Sequence, residues 1–188
     1  VPSITRGGLL TLDLAGTVGW AYGPLNAVAP IFGHWDRPRF GGEGALYVAF
    51  ENTLQDVVEE FGPGRMLLEK PLGLPAQTDM RSCRQQLTLR GFAVAEAHRS
   101  SIAVSEIDAY TARLEVIGTG WFAKGTVKAE VIRHCRARGV MVTDHNEADA
   151  VILWFWERQR LLGIPRIVGP LGRWAAERDA VGRNEIQQ

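Results

Sequence analysis

Three acidic residues lie in apolar surroundings: Asp13 within Leu10-Thr11-Leu12-Asp13-Leu14, Glu69 directly after Met66-Leu67-Leu68, and Asp149 within Ala148-Asp149-Ala150-Val151-Ile152-Leu153. A carboxylate is costly to bury unless it is paired or holds a cation. One such acid is as readily a capping or solvent-facing group as a functional one, but three ask for a common explanation. Carboxylate oxygens suit hard divalent ions such as Mg²⁺ or Mn²⁺, and two of these about 4 Å apart activate a water and stabilise the leaving oxygen of a phosphodiester. The expected chemistry is phosphodiester hydrolysis at a centre holding two Mg²⁺ or Mn²⁺ ions. A fourth ligand belongs on the turn before Asp149, three or four residues back, where Asn146 and His145 stand. Asp144 and Glu147 have the spacing of a capping box, which gives Glu147 a structural task. His145 is the favoured fourth residue, as metal ligand or as general base, with Glu147 as its competitor and an exposed loop histidine as the plain alternative.

These residues need elements to position them. Residues 9–14 and 18–22 are strand-like and flank Ala15-Gly16-Thr17, which predicts a hairpin. A third extended segment covers 28–35, and a helix over 43–61 is stopped by Gly62-Pro63-Gly64. The strand at 66–68 delivers Glu69 just before Lys70-Pro71, where the proline forbids a central strand from continuing. A loop over 73–82 follows, then a helix over 83–100, a strand over 102–107, helices over 109–116 and 126–138, and a last helix over 146–162. Residues 140–142 are too short to assign. Three strands in succession, then alternating helices and strands, predict an α/β fold: an antiparallel three-strand meander extended by parallel strands and flanked by helices. Residues 1–162 read as one domain and 163–188 as a Gly- and Pro-marked tail. Trp154 and Trp156 with Phe155 on the last helix are expected to pack the core or a dimer surface, and Trp121 with Phe122, in a loop beside Lys124, to contact DNA or else pack in the core.

The chain has 188 residues, 46% hydrophobic and 22% charged, which suits one folded domain and excludes a disordered chain. The longest apolar run, residues 150–156, is far short of the roughly 20 residues that span a bilayer, so a soluble intracellular protein is expected. Cys83 and Cys135 lack the spacing of a disulfide framework or a zinc site. The 21 basic and 21 acidic side chains give zero net charge, which at first argues against nucleic acid. Neutrality is uneven along the chain, however. Residues 81–138 hold 10 basic and 5 acidic side chains, residues 1–80 hold 5 and 9, and residues 139–156 hold none and 3. A basic middle between acidic flanks is either a solvated face or a DNA-facing one.

The chain resembles the RuvC-type Holliday junction resolvases of the ribonuclease H-like superfamily, in their divergent phage-like branch. The resemblance is carried, in the family's order, by LLTLDLAGTVGWA, MLLEKP, QLTLRGFAVAEAHR, the stretch 104–118, GTGWFAKGTVKAEVI and DHNEADAVILW. It implies a metal-dependent endonuclease that cleaves four-way DNA junctions, leaving 5′-phosphate and 3′-hydroxyl ends. Asp13, Glu69 and Asp149 would be its metal-binding catalytic carboxylates, with His145 beside them. Arg113, Lys124 and Lys128 would contact the DNA backbone. Symmetric nicking of a junction needs two active sites, hence a homodimer, and the setting implied is the cytoplasm of a bacterial or phage-infected cell, with the nucleoid. Two positions depart from the family. Asn146 stands where an acid or histidine is common three residues before the last aspartate. Leu72, between Pro71 and Pro75, stands where an aromatic side chain pushes into the opened junction, and an aliphatic wedge can insert there as well. Asp13-Leu14-Ala15-Gly16-Thr17 is also similar to the phosphate-binding hairpin of sugar and acetate kinases, which need two such domains. Cleavage of flaps or other branched DNA, or branched-DNA binding without catalysis, are the alternative readings.

Overall fold

The computed structural model describes residues 7–71, 80–119, 122–123 and 125–164. Ten elements follow in the order β1 (Leu9–Asp13), β2 (Val18–Gly23), β3 (Ile31–Trp35), α1 (Gly42–Phe61), β4 (Arg65–Glu69), α2 (Met80–Arg99), β5 (Ala103–Ile107), α3 (Ala109–Ile117), α4 (Val127–Ala137) and α5 (His145–Leu162). They form one sheet in the order β3-β2-β1-β4-β5, antiparallel across β3-β2-β1 and parallel across β1-β4-β5. This is the α/β architecture expected from the sequence.

Strand alternation splits β1 between two layers. Leu10 and Leu12 pack with Leu46, Phe50 and Leu54 of α1 and with Leu89 and Ala93 of α2. Leu9 packs instead with α5, and the buried Thr11 hydroxyl donates to the carbonyl of Ala150 at 2.8 Å. α5 is apolar on nearly every side because the sheet lies beneath it while α3 and α4 flank it. Trp154 and Phe155 are buried there, as expected, and Trp154 Nε1 donates to Gly23 at 3.4 Å.

Several boundaries differ from the sequence reading. The third strand begins at Ile31 rather than 28, since Val28 is exposed and Pro30 has no N–H to give a ladder. α2 starts at Met80, where Arg81 and Arg84 reach Glu43 on α1. α5 starts at His145, because Asp144 caps it by accepting from the amides of Asn146 (2.7 Å) and Glu147 (2.9 Å). Residues 140–142 form no strand: Val140 and Val142 are buried, and Arg136 donates to the Val142 carbonyl. Of the predicted loop, 72–79 lie outside the described residues, as does the tail from 165 onward.

Gly19 determines how closely α5 approaches the sheet. It sits opposite Asp13 in the β1–β2 register, and a Cβ there would lie 2.0 Å from the carbonyl oxygen of Asn146. The first turn of α5 therefore rests directly on β2. Gly19→Ala is expected to destabilise the fold by about 1–3 kcal/mol through overpacking, measured as a lowered urea midpoint with an unchanged denaturant slope.

Candidate active site

β1 and β4 run parallel with Leu12 beside Leu68, so their C-terminal ends bring Asp13 and Glu69 together. Alternation turns both toward α5, the helix that supplies Asp149. Asp13 is only 8% exposed, and its carboxyl is hydrogen-bonded to that of Glu69. Burial, then the charges of Glu69 and Asp149, push the Asp13 carboxyl well above its ordinary range. Burial also raises Glu69, with Asp149 adding to the rise and the hydrogen bond from Asp13 and the charge of Arg113 opposing it.

Arg113 enters from α3, whose start is fixed by Asp108 accepting from the Thr111 amide at 2.8 Å. Its Nη2 and Nε donate to one oxygen of Asp149, Oδ1, at 3.0 and 3.3 Å. Glu69, Arg113 and Asp149 line one recess with Ala109, Ala112, Ile152 and Leu153. Four of the residues singled out by sequence, Asp13, Glu69, Asp149 and Arg113, thus form one cluster.

The others fall elsewhere. His145 Nε2 lies 2.8 Å from Nζ of Lys128, on the α4 side of the α5 start. The ammonium can only donate, so that imidazole nitrogen accepts. Glu147 turns the opposite way: its carboxylate accepts from the Thr143 amide (2.7 Å) and hydroxyl (2.8 Å) and meets His34 Nδ1 at 3.0 Å. Burial works against its charge, yet these hydrogen bonds hold its carboxyl below the ordinary value. Leu72, Lys124 and Trp121 lie outside the described residues.

His34 was not singled out by sequence. Its Nδ1 is 3.0 Å from Asp144 Oδ2 as well as from Glu147. Among the described residues, His34, Asp144 and Glu147 are the one set of three metal-ligating side chains whose donor atoms all lie within 4.8 Å of one another. Asp144 and Glu147 each commit their other oxygen to backbone amides at the start of α5. The cluster thereby ties edge strand β3 to that helix.

Most of the described basic residues of the middle have partners within the chain, many of them at the surface. Arg81 and Arg84 pair with Glu43, Arg90 with Glu106, Arg99 with Glu96 and Glu51, Arg113 with Asp149, and Arg133 with Glu130. Arg136 and Arg138 donate to the carbonyls of Val142 and Val116. Lys128 is exposed and meets only the imidazole of His145 among the described residues.

The donor set of Asp13, Glu69 and Asp149 consists of oxygen alone, partly buried and mutually repelling. That fits a hard divalent cation such as Mg²⁺ or Mn²⁺. Among the described residues the Cys135 thiol does not compete, since its Sγ packs against the Ala148 carbonyl and burial pushes it up to about 12. The oxygens of Asp13, Glu69 and Asp149 do not all lie within 4.8 Å of one another, so a shared ion would have to draw them closer.

The fold is ribonuclease H-like, in the form found in Holliday junction resolvases. No family model matches the chain, and no curated protein matches it by sequence. Among solved structures, Thermus thermophilus RuvC is similar with a TM-score of 0.66 at 13% identity, over 85% of this chain and 98% of that one. T. thermophilus RuvC in complex with a Holliday junction substrate gives 0.65 at 11%, over 86% and 99%. The yeast mitochondrial Holliday junction resolvase Ydc2 gives 0.51 at 10%, over 85% and 82%. At such identities the likeness defines the fold, and the chemistry rests on the residues themselves.

The raised carboxyl of Asp13 has a consequence for stability. A carboxyl whose folded pKa exceeds its unfolded one contributes stability below the unfolded value, near 4, and loses it as pH rises through the folded value. In chelator at pH 8, Asp13→Asn should therefore be more stable than the parent, and the difference should shrink toward zero as the pH falls below about 4. Urea titrations at the two pH values measure it.

Proposed function

We propose that this chain is a divalent-metal-dependent endonuclease that hydrolyses phosphodiester bonds in branched DNA, with the four-way junction as its substrate. The observation that carries the reading is the convergence of Asp13, Glu69 and Asp149 from two adjacent strand ends and the first turns of one helix. The fold is shared with a RuvC whose structure is also solved with a Holliday junction, which supports branched DNA as the partner.

Asp13, Glu69 and Asp149 would hold the metal, while His145, expected from the sequence as the fourth residue, instead accepts from the Lys128 ammonium, away from that cluster. When bound, Mg²⁺ or Mn²⁺ supplies Lewis acidity, an activated water and stabilisation of the leaving oxygen. The protein's own part is to fix the carboxylates and hold the backbone of the DNA. The α5 turn packed on Gly19 fixes Asp149, and the β1–β4 pairing fixes Asp13 and Glu69. Lys128, exposed and next to His145 at the start of the same helix, and Lys124, by the resemblance, are our proposed phosphate contacts. Leu72 is assigned the role of an apolar wedge at the junction. Cutting both strands of a junction calls for a homodimer carrying two such sites. Among the described residues no helix is long and apolar enough to cross a membrane.

The test is incubation of labelled four-way junction, flap and linear duplex with and without Mg²⁺ or Mn²⁺. Metal-dependent cutting of the junction is expected, and Asp13→Asn should lower its rate by at least about a hundredfold while junction binding persists. Preferential cutting of flap or duplex would replace the substrate assignment, and binding without any cutting would make the chain a junction-binding module. Lys128→Ala should weaken junction binding and lower its salt slope by about 1, measured by titration at several salt concentrations.

A further inference from the structure

Asp149 reaches the acidic cluster already carrying a cation. Both Nη2 and Nε of Arg113 donate to its Oδ1, and the two side chains are only 20% and 16% exposed, so water screens the pair weakly. The other arginines of the basic middle spend their charge on acids outside the cluster or on carbonyls. Arg113 also acts on the remaining two acids: its charge lowers both Asp13 and Glu69 against the pull of burial. The backbone that carries it is fixed, since α3 is capped by Asp108 and packs its buried Ala112 and Val116 against α5.

A guanidinium on Oδ1 and a divalent ion on either oxygen of the same carboxylate lie close enough in a partly buried site to repel each other strongly. We propose that Arg113 is a built-in counter-ion which a divalent metal must displace from Asp149, so that this arginine sets the metal affinity of the site. The inference rests on the reading of Asp13, Glu69 and Asp149 as metal ligands. Displacement leaves a planar fork of N–H donors at the rim of the loaded site, the geometry that takes a phosphate by two parallel hydrogen bonds. Arg113 then has two partners in turn: Asp149 before metal enters and the DNA backbone afterwards. Metal loading and DNA affinity become coupled through one side chain.

Calorimetric titration of the full chain with MnCl₂ alone, without DNA, tests this. Arg113→Ala and Arg113→Gln should each bind Mn²⁺ about tenfold more tightly than the parent, and Arg113→Lys should fall between. A purely structural ion pair moves the other way, because its loss loosens a ligand and weakens the metal. Equal or weaker Mn²⁺ binding by folded Arg113→Ala and Arg113→Gln, their folding checked by circular dichroism, overturns the proposal and leaves the metal site standing. Absence of Mn²⁺ binding in the parent and all variants overturns the metal site itself and the proposal with it. A second readout is the junction affinity: added Mn²⁺ should raise it more in the parent than in Arg113→Ala, and an equal gain in both counts against the hand-over.

Discussion

Mutual repulsion among one buried and two half-buried carboxyls is the constraint around which this site is arranged. Left to themselves, Asp13, Glu69 and Asp149 would separate or reach for water. They are confined because each is anchored by packing stronger than the repulsion. Asp13 and Glu69 end two central strands whose preceding residues, Leu12 and Leu68, are fully buried. Asp149 is carried by a helix pressed onto the sheet at Gly19 and bonded to it through Thr11. The tension is relieved locally by a hydrogen bond within the Asp13–Glu69 pair and by one guanidinium on Asp149.

Much of this is legible in the sequence, for identifiable reasons. An acid inside an apolar run violates the pattern around it, so Asp13, Glu69 and Asp149 announce themselves, and the succession of elements predicts the order in which strands must lie. The capping relation of Asp144 and Glu147 is legible too, because it depends on spacing alone. His34 is silent, since a histidine in a short edge strand breaks no pattern. It acquires meaning only through the register Asp13, Gly19, His34 across three strands, which places it under the start of α5. Gly19 is silent for the same reason, being one glycine among 21 until the helix that needs its missing side chain is seen above it.

Charge is the property least readable along the chain. The excess of basic residues between 81 and 138 is real as a number, but a sequence does not state where each charge is spent. Glu43 alone engages two of those arginines from another helix, and Asp149 engages a third from 36 residues away. Arg136 and Arg138 go to carbonyls, and Lys128 to the imidazole of His145. Among the described residues, the positive charge of this stretch is thus mostly committed to partners within the chain.

The 139 residues separating Thr11 from Ala150 also set a timetable. A chain emerging from the ribosome at about 5–20 residues per second can pair β1 with β2 and β4 well before α5 exists. Asp13 and Glu69 are then neighbours without their third partner, and the face that α5 will cover stays open. The acidic cluster is complete only once α5 has emerged, so a chain ending before that helix carries two of the three carboxylates without the third.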